Sequence, residues 1–196
     1  MNNKRFALIG HRVPSHGKLN LNDLAGSCGR LDVILRSVNT ALFLSHGIRD
    51  DVEVVLHLMG GEKKPRRVWI EGSKVKGLHA DERSIAGQLS KILQTPLPPI
   101  GIKSEFQKGI FHGQGTLEET LNEWENEEIF PVHLDIHGEE VSSNLKSYKK
   151  IGFVISDDQP FNEKEISLLS DTNKISLGEK WIQGHSVIAI LHHYLD

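Results

Sequence analysis

Short apolar runs that stop at glycine or proline alternate along this chain with longer stretches of helical period. That alternation confines it to an α/β fold. Phe6 to Gly10 reads as a buried strand, stopped by His11, Arg12 and Pro14. Leu31, Ile34, Leu35, Val38, Ala41 and Leu42 then recur at the spacing of one buried helix face, and Gly47 stands where a left-handed cap ends such a helix most easily. Val52 to Met59 alternates and runs into Gly60-Gly61, a strand and a turn, and Val68 to Ile70 is a second short strand turning at Gly72. Asp81 to Gln94 places Ile85, Leu89, Ile92 and Leu93 on one side of a helix. Beyond the proline-rich break at Thr95 to Pro99, Thr116 and Glu119 form a capping box that opens a helix toward Trp124. Val132 to Ile136 and Gly152 to Ser156 read as strands, and Asn162 with Glu165 opens a short helix. Ile175 to Leu177 is a last strand. Gly184 to Leu195 is a last helix, with Val187, Ile190, Leu191 and Tyr194 inward. Strand followed by helix, repeated, predicts a mostly parallel sheet.

With 196 residues the chain is long enough for one α/β domain with a proper core, and we expect a single domain over residues 1–196. No apolar run reaches the ~18 residues of a membrane span, and the N-terminus lacks the pattern of a secretory signal. The single cysteine, Cys28, excludes an intrachain disulfide and a cysteine-based zinc site, so the expected compartment is the cytosol. The net charge of −3 hides an asymmetry. Residues 1–98 hold fifteen Lys and Arg against nine Asp and Glu, while residues 99–196 hold eight against seventeen. A basic half beside an acidic half points to a polyanionic partner on one face.

In a parallel α/β sheet, ligands bind at the carboxyl ends of the strands. Three loops of that kind fall in the second half: Asp135 to Glu139, Ser156 to Phe161 and Gly178 to Gly184. None carries a dinucleotide fingerprint or a phosphate-binding P-loop, and neither a serine nucleophile elbow nor a zinc-protease motif occurs. The histidines are scattered without metal-ligand spacing, so no metal is expected. In the first half, four arginines (Arg12, Arg30, Arg36 and Arg49) surround an otherwise apolar helix. Lys63, Lys64, Arg66 and Arg67 flank Pro65 and read as a loop able to reach phosphates.

The stretch LNDLAGSCGRLDVILRSVN and the FLSHGIR that follows it, then DERSIA (Asp81 to Ala86) and ISLGEKWIQGHSVIAILHHYLD (Ile175 to Asp196), resemble the archaeal tRNA pseudouridine(54) N1-methyltransferases. These belong to the SPOUT class of knotted methyltransferases. The resemblance touches both ends of the chain in the right order. It implies a SPOUT-type α/β knot, with the C-terminal segment threaded into a deep trefoil knot whose loops hold S-adenosylmethionine. Carried over by matching position, Leu134 ends the first strand beside the cofactor and Ser156 replaces the glycine of the family's GD turn. Ser176, Leu177, Gly178, Glu179, Lys180 and Trp181 form the adenosyl-wrapping loop, and Ser186 stands where the family has cysteine.

The resemblance further implies a homodimer and a tRNA substrate methylated at N1 of pseudouridine, a nitrogen that keeps its proton because the base is joined to ribose through carbon. Arg12, Arg30, Arg36 and Arg49 would hold RNA phosphate or the splayed base, and Asp23 is the candidate base or an orienting residue of its loop. The family's PGIYVR is KGIFHG here (Lys108 to Gly113), which loses an arginine. That departure leaves open another RNA target, such as a ribosomal pseudouridine, or a non-catalytic RNA- or cofactor-binding module.

Overall fold

A computed structural model of the chain describes residues 3–196, the side chain of Ser143 excepted. The first half contains β1 (Asn3–Pro14), α1 (Leu31–Leu42), a small hairpin of β2 (Phe43–Leu44) and β3 (Gly47–Ile48), β4 (Val52–Gly60), β5 (Arg66–Glu71) and α2 (Glu82–Gln94). The second contains β6 (Ser104–Gln107), β7 (Ile110–Gln114), α3 (Leu117–Asn126), β8 (Phe130–Glu140), β9 (Lys150–Ser156), α4 (Glu163–Leu169), β10 (Asn173–Ser176) and α5 (Gly184–Leu195). Among the described residues, eight strands form one sheet in the order β10-β8-β9-β1-β4-β5-β7-β6. The run from β10 to β4 is parallel. From β4 to β6 every pairing is antiparallel. The sheet is therefore mixed, and its parallel part carries the loops of interest.

Both faces are covered, so the central strands read as continuous apolar runs rather than alternating ones. Phe6, Leu8, Val54, Leu56, Phe153 and Ile155 point to the layer of α1, α2 and α5. Their neighbours Ala7, Ile9, Val55 and Val154 point to the opposite face, where Leu117, Trp124 and Leu169 of α3 and α4 meet them. On α1, burial of Leu31, Ile34, Leu35, Val38 and Leu42 contributes about 2 kcal/mol per side chain. Asp81 caps α2 through the Ser84 N–H at 2.7 Å, and Glu119 accepts the Thr116 N–H at 2.7 Å at the start of α3. No helix among the described residues is long and apolar enough to cross a membrane.

Several local expectations are corrected. β1 does not stop at Gly10: it continues through an irregularity to Pro14, which pairs with Gly60. α1 ends at Leu42, capped by extended Phe43, and Gly47 instead opens β3, paired with Leu44 across the Ser45-His46 turn. Ile188 replaces Ile190 among the fully buried residues of α5. The segment after the proline break, to which no element was assigned, forms the β6–β7 hairpin around Lys108-Gly109, and β7 pairs with β5 across that break. Arg66 and Arg67 do not belong to a loop. They lie in β5, buried, and only Lys63 and Lys64 remain on the exposed turn. Arg66 donates to the carbonyls of Ile92 and Thr95 at the end of α2, the first of which also accepts the Thr95 N–H and hydroxyl. Arg67 stacks on Trp69 at 4.5 Å and donates to Thr120 and Glu123.

The C-terminal path decides where the loops meet. β10 lies outside β8 at the edge of the sheet, yet the next element, α5, packs against α1 beneath the centre. On the way it contacts the turn Ser143–Ser147 that joins β8 to β9. The tail is then fastened. Asp196 forms ion pairs with buried Lys4 and with Arg49, and Lys4 also meets Asp51 at 3.0 Å.

Candidate active site

Three loops converge at the carboxyl ends of the parallel strands. β8 loses register with β10 between His133 and Glu139, so residues 134–138 leave the ladder as a bulging excursion. A Cβ on Gly138 would lie 2.6 Å from the Ile175 carbonyl carbon, so this excursion rests directly on β10. After β10 the chain turns at Gly178, whose N–H donates to Ser176 Oγ at 3.1 Å. It then enters α5 at Gly184, where a Cβ would stand 3.2 Å from Ile155 Cγ2, 3.2 Å from Ser37 Oγ and 3.7 Å from the Ser156 carbonyl. The first loop thus touches the strand that leads into the third, and the third touches the second. Leu134, Leu177 and Ile182 are half-buried against the core beside them.

The same end of the sheet carries an alternating charge network. His11 bonds Asp157 Oδ1 through Nδ1 at 2.9 Å and Glu165 Oε2 through Nε2 at 3.0 Å. Its own N–H donates to Asp157 Oδ2 at 2.8 Å. These two carboxylates raise the imidazole from 6.5 to about 9, so His11 is a cation at neutral pH. Burial pushes Asp157 upward, but His11 and the N–H groups of Gln159 and His11 outweigh it and hold the carboxyl low. One residue further along each strand, Arg12 meets Asp158 at 2.6 Å. Arg30 also faces Asp158 and grips Asp32 with two bonds at 3.0 and 3.2 Å, and Arg36 meets the same Asp32 at 2.8 Å. Two rungs, His11–Asp157 and Arg12–Asp158, therefore tie the end of β1 to the loop after β9.

The backbone around these arginines is strained. Arg30 caps α1 at φ 64, a left-handed conformation that costs a non-glycine residue about 1–2 kcal/mol. Gly29 before it has φ 60, and a Cβ there would collide with the Arg12 carbonyl oxygen at 2.0 Å. Glycine is required on both counts. The contact presses the Arg30 loop onto the end of β1.

Of the residues expected from the sequence, Arg12, Arg30 and Arg36 come together here, along with Leu134, Ser156, Ser176 and the Leu177–Trp181 loop, and Ser186 lies in the first turn of α5. Arg49 does not join them: it binds Asp196 at 2.9 Å beside Lys4, at the opposite end of β1. Asp23 is fully exposed, and its carboxylate accepts the N–H groups of Gly26 and Ser27, both at 2.9 Å. Those bonds hold it below the usual carboxylate range, so it is a turn-former and a weak base. The altered positions His112 and Gly113 lie in β7, on the far side of the sheet from β8 and β10. His11, Asp32, Asp157, Asp158 and Glu165 were missed as site residues. The available signal was a polar pair directly after each of two buried strands, His11-Arg12 and Asp157-Asp158.

The donor set suits S-adenosylmethionine. Trp181 is 74% exposed on the third loop, open to stacking. Among the described residues, the N–H groups of Glu179, Lys180 and Trp181 donate to no protein acceptor. His185, next to Ser186, carries a buried Nδ1 with no partner. Free backbone donors, an apolar wall and a few polar groups are what a small polar cofactor needs.

Comparison with known proteins agrees with this geometry. Residues 3–196 match the family described as "Putative SAM-dependent RNA methyltransferase". The tRNA (pseudouridine(54)-N(1))-methyltransferase of Haloarcula marismortui is 36% identical over 98% of this chain and 96% of its own length. That of Haloferax volcanii is 35% identical over 98% and 96%. Among solved structures, Archaeoglobus fulgidus Nep1 bound to S-adenosylhomocysteine superposes with a TM-score of 0.68 at 14% identity, covering 100% of this chain and 97% of that one. The fold is the SPOUT-type α/β knot. Its strand order, its C-terminal path and its full-length sequence kinship make this chain a member of the tRNA pseudouridine(54) N1-methyltransferase family.

Proposed function

We propose that this protein transfers a methyl group from S-adenosylmethionine to N1 of pseudouridine at position 54, in the T loop of tRNA. The observation that carries the reading is kinship with enzymes named for that reaction over 98% of the chain. The cofactor supplies an electrophilic methyl on a sulfonium. Leu134 and Leu177 give its site an apolar wall, while the backbone of residues 176–181, with Ser156 and Ser186, reads its polar groups. Trp181 covers it.

Arg12, Arg30 and Arg36 hold the RNA, already oriented by Asp158 and Asp32 before it arrives. Orientation of this kind can supply much of the acceleration, because the reacting atoms are brought into line without further ordering. The T-loop base must leave its stack to reach the site, and in this reading the arginines receive it. Asp23, with both carboxylate oxygens engaged, shapes the loop, and the N1 proton leaves to water. Arg49 plays no part in RNA binding in this reading. A second copy of the chain completes a homodimer through the outward side of α5, where Ala189 is exposed and Ile190 half-buried. The buried, unpaired Cys28 accords with work in the cytosol.

The test is methyl transfer to tRNA transcripts carrying pseudouridine or uridine at position 54, read by nucleoside mass spectrometry. 1-Methylpseudouridine from the first alone supports the reading. Methylation of a ribosomal pseudouridine fragment in its place assigns a different target, and cofactor binding without turnover on either leaves a binding module.

A further inference from the structure

The tip of the β4–β5 hairpin, residues 61–65, projects past the carboxyl end of β4, the same end at which β1 delivers Arg12. The base of that tip lies against Arg12: a Cβ on Gly60, the last residue of β4, would lie 2.3 Å from the Arg12 carbonyl oxygen. Lys63 and Lys64 are exposed on this tip. Beside it, the loop that follows β1 is pinned to the end of α2 by Gly17 N–H to Leu93 O at 3.0 Å and Leu19 N–H to Ser90 Oγ at 3.1 Å. Between those two anchors Lys18 is held outward and exposed.

Arg12, Arg30 and Arg36 are each paired with an aspartate. Lys18, Lys63 and Lys64, in contrast, make no ion pair or hydrogen bond among the described residues. Glu62 shares the tip and leaves it net positive. His16, between the two segments, reports the local field: burial lowers its proton affinity, and Arg66 and Lys63 lower it further. An unneutralised cationic rim beside the arginine cluster suits an extended polyanion, not one small anion.

We infer that Lys18, Lys63 and Lys64 form a second grip on the substrate, taking backbone phosphates of the RNA that flank the nucleotide handled at the Arg12–Arg30 site. This rests on the RNA methyltransferase reading above. Phosphate contacts of this kind position the duplex and carry no sequence information. The pinned loop lowers the ordering cost of the Lys18 contact.

The experiment is titration of the full-length protein with tRNA transcript between 50 and 500 mM salt, comparing the native chain with Lys18→Ala/Lys63→Ala/Lys64→Ala. Each lost phosphate contact should reduce the slope of log K against log salt by about 0.7–0.9. The triple variant should lose about 2.1–2.7 from the slope and bind tRNA roughly fivefold more weakly per lysine near physiological salt. KM for tRNA should rise in step, with kcat and methyl-donor affinity retained. Lys→Arg at all three positions should restore the slope. A triple variant with native slope and native KM overturns the inference. Because the slope is read from binding, it decides the matter even if methylation of position 54 is not observed, which would count against the functional reading alone.

Discussion

Replacing His11 with glutamine removes the cation between Asp157 and Glu165 while keeping side-chain length and one donor. The His11 side chain is 16% exposed, and the carboxyl side chains are 0% and 6% exposed, so the three groups meet largely out of water. A rise in the imidazole pKa from 6.5 to about 9 converts, at about 1.36 kcal/mol per pH unit, into about 3 kcal/mol of folding stability. The sign follows from which state holds the proton. Between pH 6.5 and 9 the folded chain keeps it and the unfolded chain has released it, so the contribution is whole below 6.5 and is lost as pH rises through 9. His57 and His192 act elsewhere. Burial drives them down to about 3 and about 4, so they cost stability only below 6.5 and leave the alkaline window clear. Urea unfolding at pH 6, 7, 8 and 9 should therefore show the native protein losing about 3 kcal/mol across the range. His11→Gln should be nearly flat and start about 3–5 kcal/mol lower at pH 6, because two buried carboxylates lose their counter-charge. Parallel pH dependences in the two proteins would refute the reasoning.

Other consequences are local. Gly29→Ala should cost about 2–4 kcal/mol, from left-handed strain and the collision with the Arg12 carbonyl; thermal unfolding checks the cost, and KM for tRNA should rise more than KM for the methyl donor. Arg66→Met keeps the volume but strands the Thr95 carbonyl, while that of Ile92 keeps its bonds from Thr95, for a loss of about 1–3 kcal/mol in denaturant. Asp196→Ala should unfasten α5 from Lys4 and Arg49. Asp196 is 44% exposed on its side chain, so solvent screening holds the cost to about 1 kcal/mol, seen as faster unfolding. Burial raises Asp196, but Lys4 and Arg49 pull its carboxyl down to about 2, so this contribution exists above the ordinary value of 3.8 and fades as pH falls through 2.

Much of the architecture is written in short-range chemistry. The apolar spacing in α1 and α2, the Asp81 cap, the Thr116–Glu119 and Asn162–Glu165 boxes and the glycine stop after β4 all act within four residues, so a linear reading finds them. The KGIFHG segment was read for the residue it lacks, and its hairpin went unseen because a two-residue turn between two strands of four and five residues has little period of its own.

What the amino-acid order settled alone was the alternation of the main strands and helices, without the β2–β3 and β6–β7 hairpins, and the family to which they belong, since both are carried by contiguous residues. Tertiary structure decided the fate of the charges. Arg66 and Arg67 look like neighbours of Lys63 and Lys64 on a solvated loop, yet they are buried, because their partners come from α2 and α3, 26 to 56 positions away. Arg49 looks like a companion of Arg12 and goes instead to Asp196. His11 finds Asp157 across 146 residues. A charge is buried only where distant atoms compensate it, and only the folded chain brings those atoms together.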